Sequence, residues 1–306
     1  MDRGDRTSMS STVEGFEFRR LRFDLPSAGG YGTAIEMGPQ DRPVDILFSH
    51  ANGFNALTYR SILGPLADRL RIVAVDQRGH GLSGLPPRLD VPDRNWYDLV
   101  PDLKAVMEAL DIRGAVLGGH SMGGTVSLMA AAESPGRVRG VALFDPVIMA
   151  PGFAAQNGNR PLTGDNPLLQ GALRRRPVFP SREAVIASYS GKGAFRSWTP
   201  EMLADYVEDG FRPTADGEVE LSCKPAWEAS NFASHGHDPW PSFQAAAVPI
   251  RILKAETGST CRSDGHEAAL TADGRIRLEV IPGTTHFLPM ERPDLVRQTL
   301  ADLLLP

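Results

Sequence analysis

The sequence predicts an α/β fold: a mostly parallel sheet flanked by helices and interrupted once by a long helical insertion. Three observations carry this. Short apolar runs alternate with segments of helical spacing through residues 44–144 and again from residue 249. Between them, over residues 146–248, the rhythm stops in a stretch rich in Pro and Gly. A Gly-x-Ser-x-Gly, Gly119-His120-Ser121-Met122-Gly123, joins an apolar run to a helix-like segment. Strand–helix alternation implies parallel strands joined by right-handed crossovers. An insertion of roughly a hundred residues in such a pattern reads as a lid, not as a structureless loop.

Taken in order, residues 1–15 are polar and Ser-rich, the composition of a mobile tail. Residues 16–24 and 31–37 read as antiparallel strands around Pro26-Ser27-Ala28-Gly29-Gly30. Residues 44–48 and 71–76 are short buried strands, with helical spacing between them at Tyr59, Ile62, Leu63, Leu66 and Leu70. Residues 95–110 carry apolar positions at Trp96, Leu99, Leu103, Val106 and Leu110 of a helix that Pro101 would kink. The strand–elbow–helix unit at 115–132 and a strand at 138–144 complete the first half. The second half resumes with a strand at 249–253, a helix at 266–270, a strand at 275–281 and a terminal helix at 294–305. The predicted division is a core of residues 16–145 and 249–306, with a helical lid over 146–248.

Bulk properties narrow the function. At 306 residues, with 42% hydrophobic and 23% charged residues, the chain can bury the core of one α/β domain. A net charge of −5 gives no electrostatic reason to expect nucleic acid or a membrane surface as a partner. Only Cys223 and Cys261 are present, too few for a disulfide framework. No window approaches the ~18 apolar residues of a membrane span, and Met1-Asp2-Arg3-Gly4-Asp5-Arg6 lacks the apolar region of a signal peptide. The expectation is a soluble cytoplasmic protein.

The chemistry starts at Ser121. On so tight a strand-to-helix turn, side chains two positions either side would strike backbone, and Gly119 and Gly123 remove those collisions. Serine is a weak nucleophile and needs a base within hydrogen-bond reach, itself held by an acid. His286, in Pro282-Gly283-Thr284-Thr285-His286-Phe287 after the last strand, is the candidate base. A tetrahedral intermediate also needs backbone donors. Met122 N–H, at a helix N-terminus, is one candidate; Asn52, in the loop Ser49-His50-Ala51-Asn52-Gly53-Phe54, is the other.

Those two motifs and the elbow, together with Asp76-Gln77-Arg78-Gly79-His80-Gly81-Leu82-Ser83, resemble the α/β-hydrolase superfamily over about residues 16–305. The resemblance is to its lid-bearing branch of esterases, epoxide hydrolases and haloalkane dehalogenases, and it implies the α/β-hydrolase fold. Two departures stand out. Relatives usually show His-Gly where this chain has His50-Ala51, and they commonly carry the acid at the register that Gly258 occupies here. Asp145, after the strand ending at Phe144, and Glu256, two residues before Gly258, are the candidate replacements; Asp145 is favoured, and Asp264 is a remote third.

Other residues have plainer readings. His50 and His80 organise loops, and His120 is a packing position without a chemical role. His235-Gly236-His237-Asp238 lacks the further ligands of a metal site. Arg174-Arg175-Arg176 is a solvated face of the lid. Phe179, Tyr189, Phe195, Trp198, Tyr206, Trp227, Phe232 and Trp240 supply the lid's own core, with some lining the pocket.

The predicted function is a cofactor-free serine hydrolase acting on a small, partly apolar carboxylic ester. Its residues are Ser121 and His286, with Asp145 or Glu256 as acid and an oxyanion hole at Asn52 and Met122. The same triad in relatives also cleaves amides, lactones and carbon–carbon bonds. Epoxide hydrolase and dehalogenase chemistry is disfavoured because it needs an aspartate at position 121. A non-catalytic ligand receptor on the same scaffold is the alternative from another class.

Overall fold

Strands buried on both faces read as unbroken apolar runs, and those runs form the centre of the molecule. The computed structural model describes residues 9–10, 15–91, 94–157, 166–234 and 236–305. β1 (Met9–Ser10), β2 (Arg19–Leu25) and β3 (Gly30–Met37) make an antiparallel edge. β4 (Ile46–Ser49) leads to α1 (Arg60–Leu63) and β5 (Ile72–Asp76). α2 (Val100–Ala109), β6 (Ala115–His120), α3 (Met122–Ala132) and β7 (Val138–Phe144) follow.

The insertion holds α4 (Phe153–Asn157), α5 (Pro167–Leu173), β8 (Val178–Phe179), α6 (Arg182–Tyr189) and α7 (Pro200–Gly210). It continues through β9 (Phe211–Pro213), β10 (Val219–Leu221), α8 (Pro225–Ala233) and α9 (Trp240–Ala245). The core then closes with β11 (Ile250–Ala255), α10 (Glu267–Leu270), β12 (Ile276–Ile281), α11 (Leu288–Glu291) and α12 (Pro293–Asp302).

The main sheet runs β1-β2-β3-β5-β4-β6-β7-β11-β12, with every pairing from β5 to β12 parallel. The C-terminal ends of β4, β6, β7 and β11 therefore lie along one edge. That is where open α/β sheets present their loops to a ligand.

Several expectations need correction. The helix expected between β4 and β5 is one α-turn flanked by 3-10 turns at Leu57–Tyr59 and Gly64–Leu66. Pro65 has no N–H to continue an α-helix. Pro101 does not kink its helix, because it sits in the first turn of α2, where no intrahelical donor is required. The preceding 3-10 turn starts at Asn95, whose side chain accepts the Tyr97 N–H. The insertion is not purely helical: β8, β10 and β9 form a small antiparallel sheet. Of the expected tail, residues 9–10 pair with β2; most of the rest lies outside the described residues. Among the described residues, no helix is long and apolar enough to cross a membrane.

Buried polar contacts fix the insertion on the core. Arg60 pairs with Asp205 of α7 (Nε to Oδ2 3.0 Å, Nη2 to Oδ1 2.6 Å), both side chains essentially excluded from solvent. Arg20 pairs with Asp209 at 2.5 Å, and Trp227 Nε1 donates to Arg78 O at 2.8 Å. Removing one member of a buried pair leaves the other as an uncompensated charge. Asp205→Ala should therefore lower the free energy of unfolding in urea by about 3–5 kcal/mol. A loss below about 1 kcal/mol, the scale of a surface pair, would show that the Arg60–Asp205 pair does not anchor α7.

Candidate active site

The turn between β6 and α3 forces Ser121 into φ 55° and ψ −123°, a conformation costly for a residue with a Cβ. The surroundings impose it. Ser121 N–H donates to Phe144 O at 3.1 Å. A Cβ on Gly119 would strike the backbone of Gly123, and one on Gly123 would strike Ser49 O and His50 O. The hydroxyl, on a residue only 7% exposed, thus stands where three loops meet.

His286 arrives on the loop after β12, its Nε2 3.0 Å from Ser121 Oγ. Its Nδ1 lies 2.6 Å from Asp145 Oδ2, at the end of β7. The structure thus brings Ser121, His286 and Asp145 into one hydrogen-bonded line. It does not bring Glu256 to the histidine: that carboxylate accepts the Gly283 N–H at 2.9 Å at the surface. Asp264 is likewise elsewhere, paired with Lys254 at 2.7 Å. Asp145, at the end of β7, is the carboxylate that meets the histidine, while Glu256, just past the end of β11, turns to the Gly283 amide.

Asp145 is itself gripped. Its Oδ1 accepts Ala255 N–H at 2.9 Å and Ser259 Oγ–H at 2.5 Å, and its Oδ2 accepts Thr260 N–H at 3.1 Å. Burial alone would push the carboxyl pKa up, but the hydrogen bond and charge of His286, with the Ser259 and Ala255 donors, hold it below its ordinary value. Ser259 and Thr260 were not singled out from the sequence. The only signal was negative, a glycine at the register where relatives place an acid.

The loop after β4 is held by two neutral histidines. His50 Nδ1–H donates to Ala51 O at 2.7 Å, and its Nε2 accepts Gln77 N–H at 3.0 Å. His80 Nδ1–H donates to Arg78 O at 2.9 Å, and its Nε2 accepts Gly53 N–H at 3.0 Å. Burial lowers His50 to about 4; burial and the neighbouring His50 lower His80 to about 3. The Asn52 side chain points away from chemistry: Nδ2 donates to Glu228 O and Oδ1 accepts Asn231 Nδ2–H, both at 3.0 Å on α8. Asn52 itself lines the cavity beside Ser121, and Met122 is the first residue of α3.

A cavity of about 890 Å³ opens above Ser121 and His286. Phe54, Trp96, Met149, Leu168, Phe232 and Phe287 give it an apolar wall. Of the insertion's aromatics among the described residues, only Phe232 lines it; Tyr189, Phe195, Trp198 and Tyr206 pack on one another. Arg175 does not belong to a solvated face, as the Arg run suggested. It pairs with Glu228 at 2.5 Å and donates to Tyr206 Oη at 2.6 Å at the cavity wall. His237 stacks on Trp96 at 4.5 Å, and His235 lies outside the described residues. Among the described residues no cluster of three or more His, Cys, Asp or Glu could hold a metal.

A model of the alpha/beta hydrolase family matches residues 46–299. The 2-(acetamidomethylene)succinate hydrolase of Mesorhizobium japonicum is 27% identical over 271 residues, 85% of this chain and 87% of that protein. Among solved structures, an E-2-(acetamidomethylene)succinate hydrolase is similar with a TM-score of 0.74 at 24% identity, covering 94% of this chain and 99% of that one. The peroxisomal alpha-beta-hydrolase Lpx1 of Saccharomyces cerevisiae gives 0.71 at 16% identity, covering 98% and 88%. At these identities the two structures show a shared fold.

The tautomers set by these hydrogen bonds are observable. At pH 5, imidazole ¹⁵N spectra should show His50 and His80 still neutral and protonated on Nδ1. Titration of either ring near its ordinary value of about 6.5 would mean that the loop is open to water.

Proposed function

The chain belongs to the alpha/beta hydrolase family, and we propose that it is a serine hydrolase acting on a small, partly apolar carboxylic ester. The observation that carries this is the unbroken line from Ser121 Oγ through His286 to Asp145, at 3.0 and 2.6 Å. Substrate enters beneath the insertion, which serves as a lid, and its acyl carbon meets Ser121. Oγ attacks as its proton passes to His286 Nε2, and Asp145 stabilises the imidazolium. The carbonyl oxygen takes the negative charge, which the Asn52 and Met122 N–H groups hold; α3 adds the positive end of its dipole. Collapse expels the alcohol with the proton from His286. Water, deprotonated by the same ring, then attacks the acyl-enzyme and releases the acid. No step draws on a cofactor.

A wall of Phe, Trp, Leu and Met favours an acyl or alcohol group with apolar bulk. The complete triad geometry favours catalysis over a receptor role. Amide hydrolysis is the second reading, favoured by the acetamido compound in the name of the Mesorhizobium relative. Two free, buried cysteines fit a reducing, cytoplasmic setting.

A p-nitrophenyl ester series of increasing acyl length, run beside the matching anilides, tests the reading. The native protein should turn over the esters, Ser121→Ala and His286→Ala should each lose roughly 10⁴-fold or more in kcat, and Asp145→Asn about 10⁴-fold. Ester turnover undiminished in Ser121→Ala contradicts the proposal. Faster cleavage of anilides than of esters moves it to the amide reading.

A further inference from the structure

His120, the second residue of the elbow, takes no part in these steps, yet it lies fully buried between the base and the oxyanion loop. Its ring centroid is 5.0 Å from that of His286. Its Nε2 is 2.8 Å from the backbone oxygen of His286. A carbonyl oxygen only accepts, so Nε2 carries the proton. Nδ1 is then the acceptor of a neutral ring, and the Tyr59 hydroxyl, 2.8 Å away, donates to it. Tyr59 Oη in turn accepts the Ala51 N–H at 3.2 Å. Each link admits one direction: Ala51 N–H to Tyr59, Tyr59 O–H to His120, His120 N–H to the His286 carbonyl.

A residue kept only for volume needs none of these bonds. Here all three are made, by two side chains with no exposed surface, and the two ends of the chain of bonds are the segments that carry the reaction. Ala51 directly precedes Asn52, and its amide is committed to Tyr59, which leaves the Asn52 amide next along the loop. At the other end, the backbone of the base is pinned without drawing on either ring nitrogen of His286. The ring also stays uncharged beside the imidazolium that forms during turnover: burial and the neighbouring His286 hold His120 at about 3.

We propose that Tyr59 and His120 are positioning residues, a neutral one-way hydrogen-bond relay that fixes the oxyanion loop at Ala51-Asn52 relative to the backbone of His286. The relay rests on the serine-hydrolase reading, since it positions that reaction's base and oxyanion donors. It works through geometry: a misplacement of about 1 Å away from the chemistry can cost on the order of a hundredfold in rate. Its three bonds all run between protein groups, so its loss bears on the placement of the reacting groups rather than on the apolar wall that holds the substrate.

Tyr59→Phe removes one oxygen and cuts the relay in the middle. His120→Leu removes both of its bonds to His120, and His120→Gln restores a side-chain N–H able to reach the His286 carbonyl. With an activated ester, Tyr59→Phe and His120→Leu should lower kcat by about 10- to 100-fold while KM moves by less than about twofold, the pattern of an interaction that matters in the transition state. His120→Gln should recover at least about tenfold over His120→Leu. The double variant Tyr59→Phe/His120→Leu should be no slower than His120→Leu, because both cut one chain.

A native kcat in Tyr59→Phe overturns the relay, as do additive losses in the double variant or a rise in KM that accounts for the whole effect. If His120→Leu does not fold, Tyr59→Phe alone decides. Ser121→Ala, assayed in parallel, separates the two levels. Its retained turnover would sink the serine-hydrolase reading itself; an inactive Ser121→Ala beside a native-like Tyr59→Phe sinks only the relay.

Discussion

One strained residue organises the molecule. Ser121 is held at φ 55° and ψ −123°, and a turn of that shape cannot stand alone. β6 on one side and α3 on the other, both buried, over-determine it. The N–H of Ser121 is tied to the last residue of β7; Gly119 lets the turn close on Gly123, and Gly123 lets the loop after β4 close against it. Because β4, β6, β7 and β11 are parallel neighbours, the same edge that carries the serine also delivers the loop after β4 and Asp145. The strain is local and its compensation is the whole sheet, as expected where backbone strain is kept at a reactive site.

The hydrogen bonds around that turn set one histidine apart from three others. His50, His80 and His120 are buried, neutral and saturated by backbone or Tyr partners. His286 instead lies between a carboxylate and the Ser121 hydroxyl. The insertion contributes beyond cover. Through Glu228 and Asn231 it holds the Asn52 side chain, so the loop proposed to bind the oxyanion is gripped from core and insertion alike.

The sequence made local features legible and long-range ones only partly so. The elbow, the position of His286 after the last strand and the parallel core could be read because each rests on spacing within a dozen residues. The acid could only be narrowed to Asp145 or Glu256, since choosing between them needs the paths that the loops after β7, β11 and β12 take in space. Asp145 lies beside the histidine, while Glu256 turns outward to Gly283. The hydroxyls of Ser259 and Thr260 that hold Asp145 occupy the segment around Gly258, and no motif marks them. Strands of two or three residues, such as β8 and β9, are too short to show a period of two, so the insertion looked wholly helical. The Arg174-Arg175-Arg176 run announces charge but not direction, and Arg175 turned inward to Glu228. His120 read as packing because burial is visible in a sequence and hydrogen-bond direction is not.

In the proposed reaction Ser121 forms a covalent intermediate whose oxyanion faces Asn52 and Met122. A crystal structure of the protein inactivated by an alkyl phosphonate tests it most directly. Phosphorus should be bonded to Ser121 Oγ, with one phosphoryl oxygen roughly 2.7–3.1 Å from both the Asn52 and Met122 nitrogens. Phosphorus on another side chain, or a phosphoryl oxygen turned away from both amides, would contradict it.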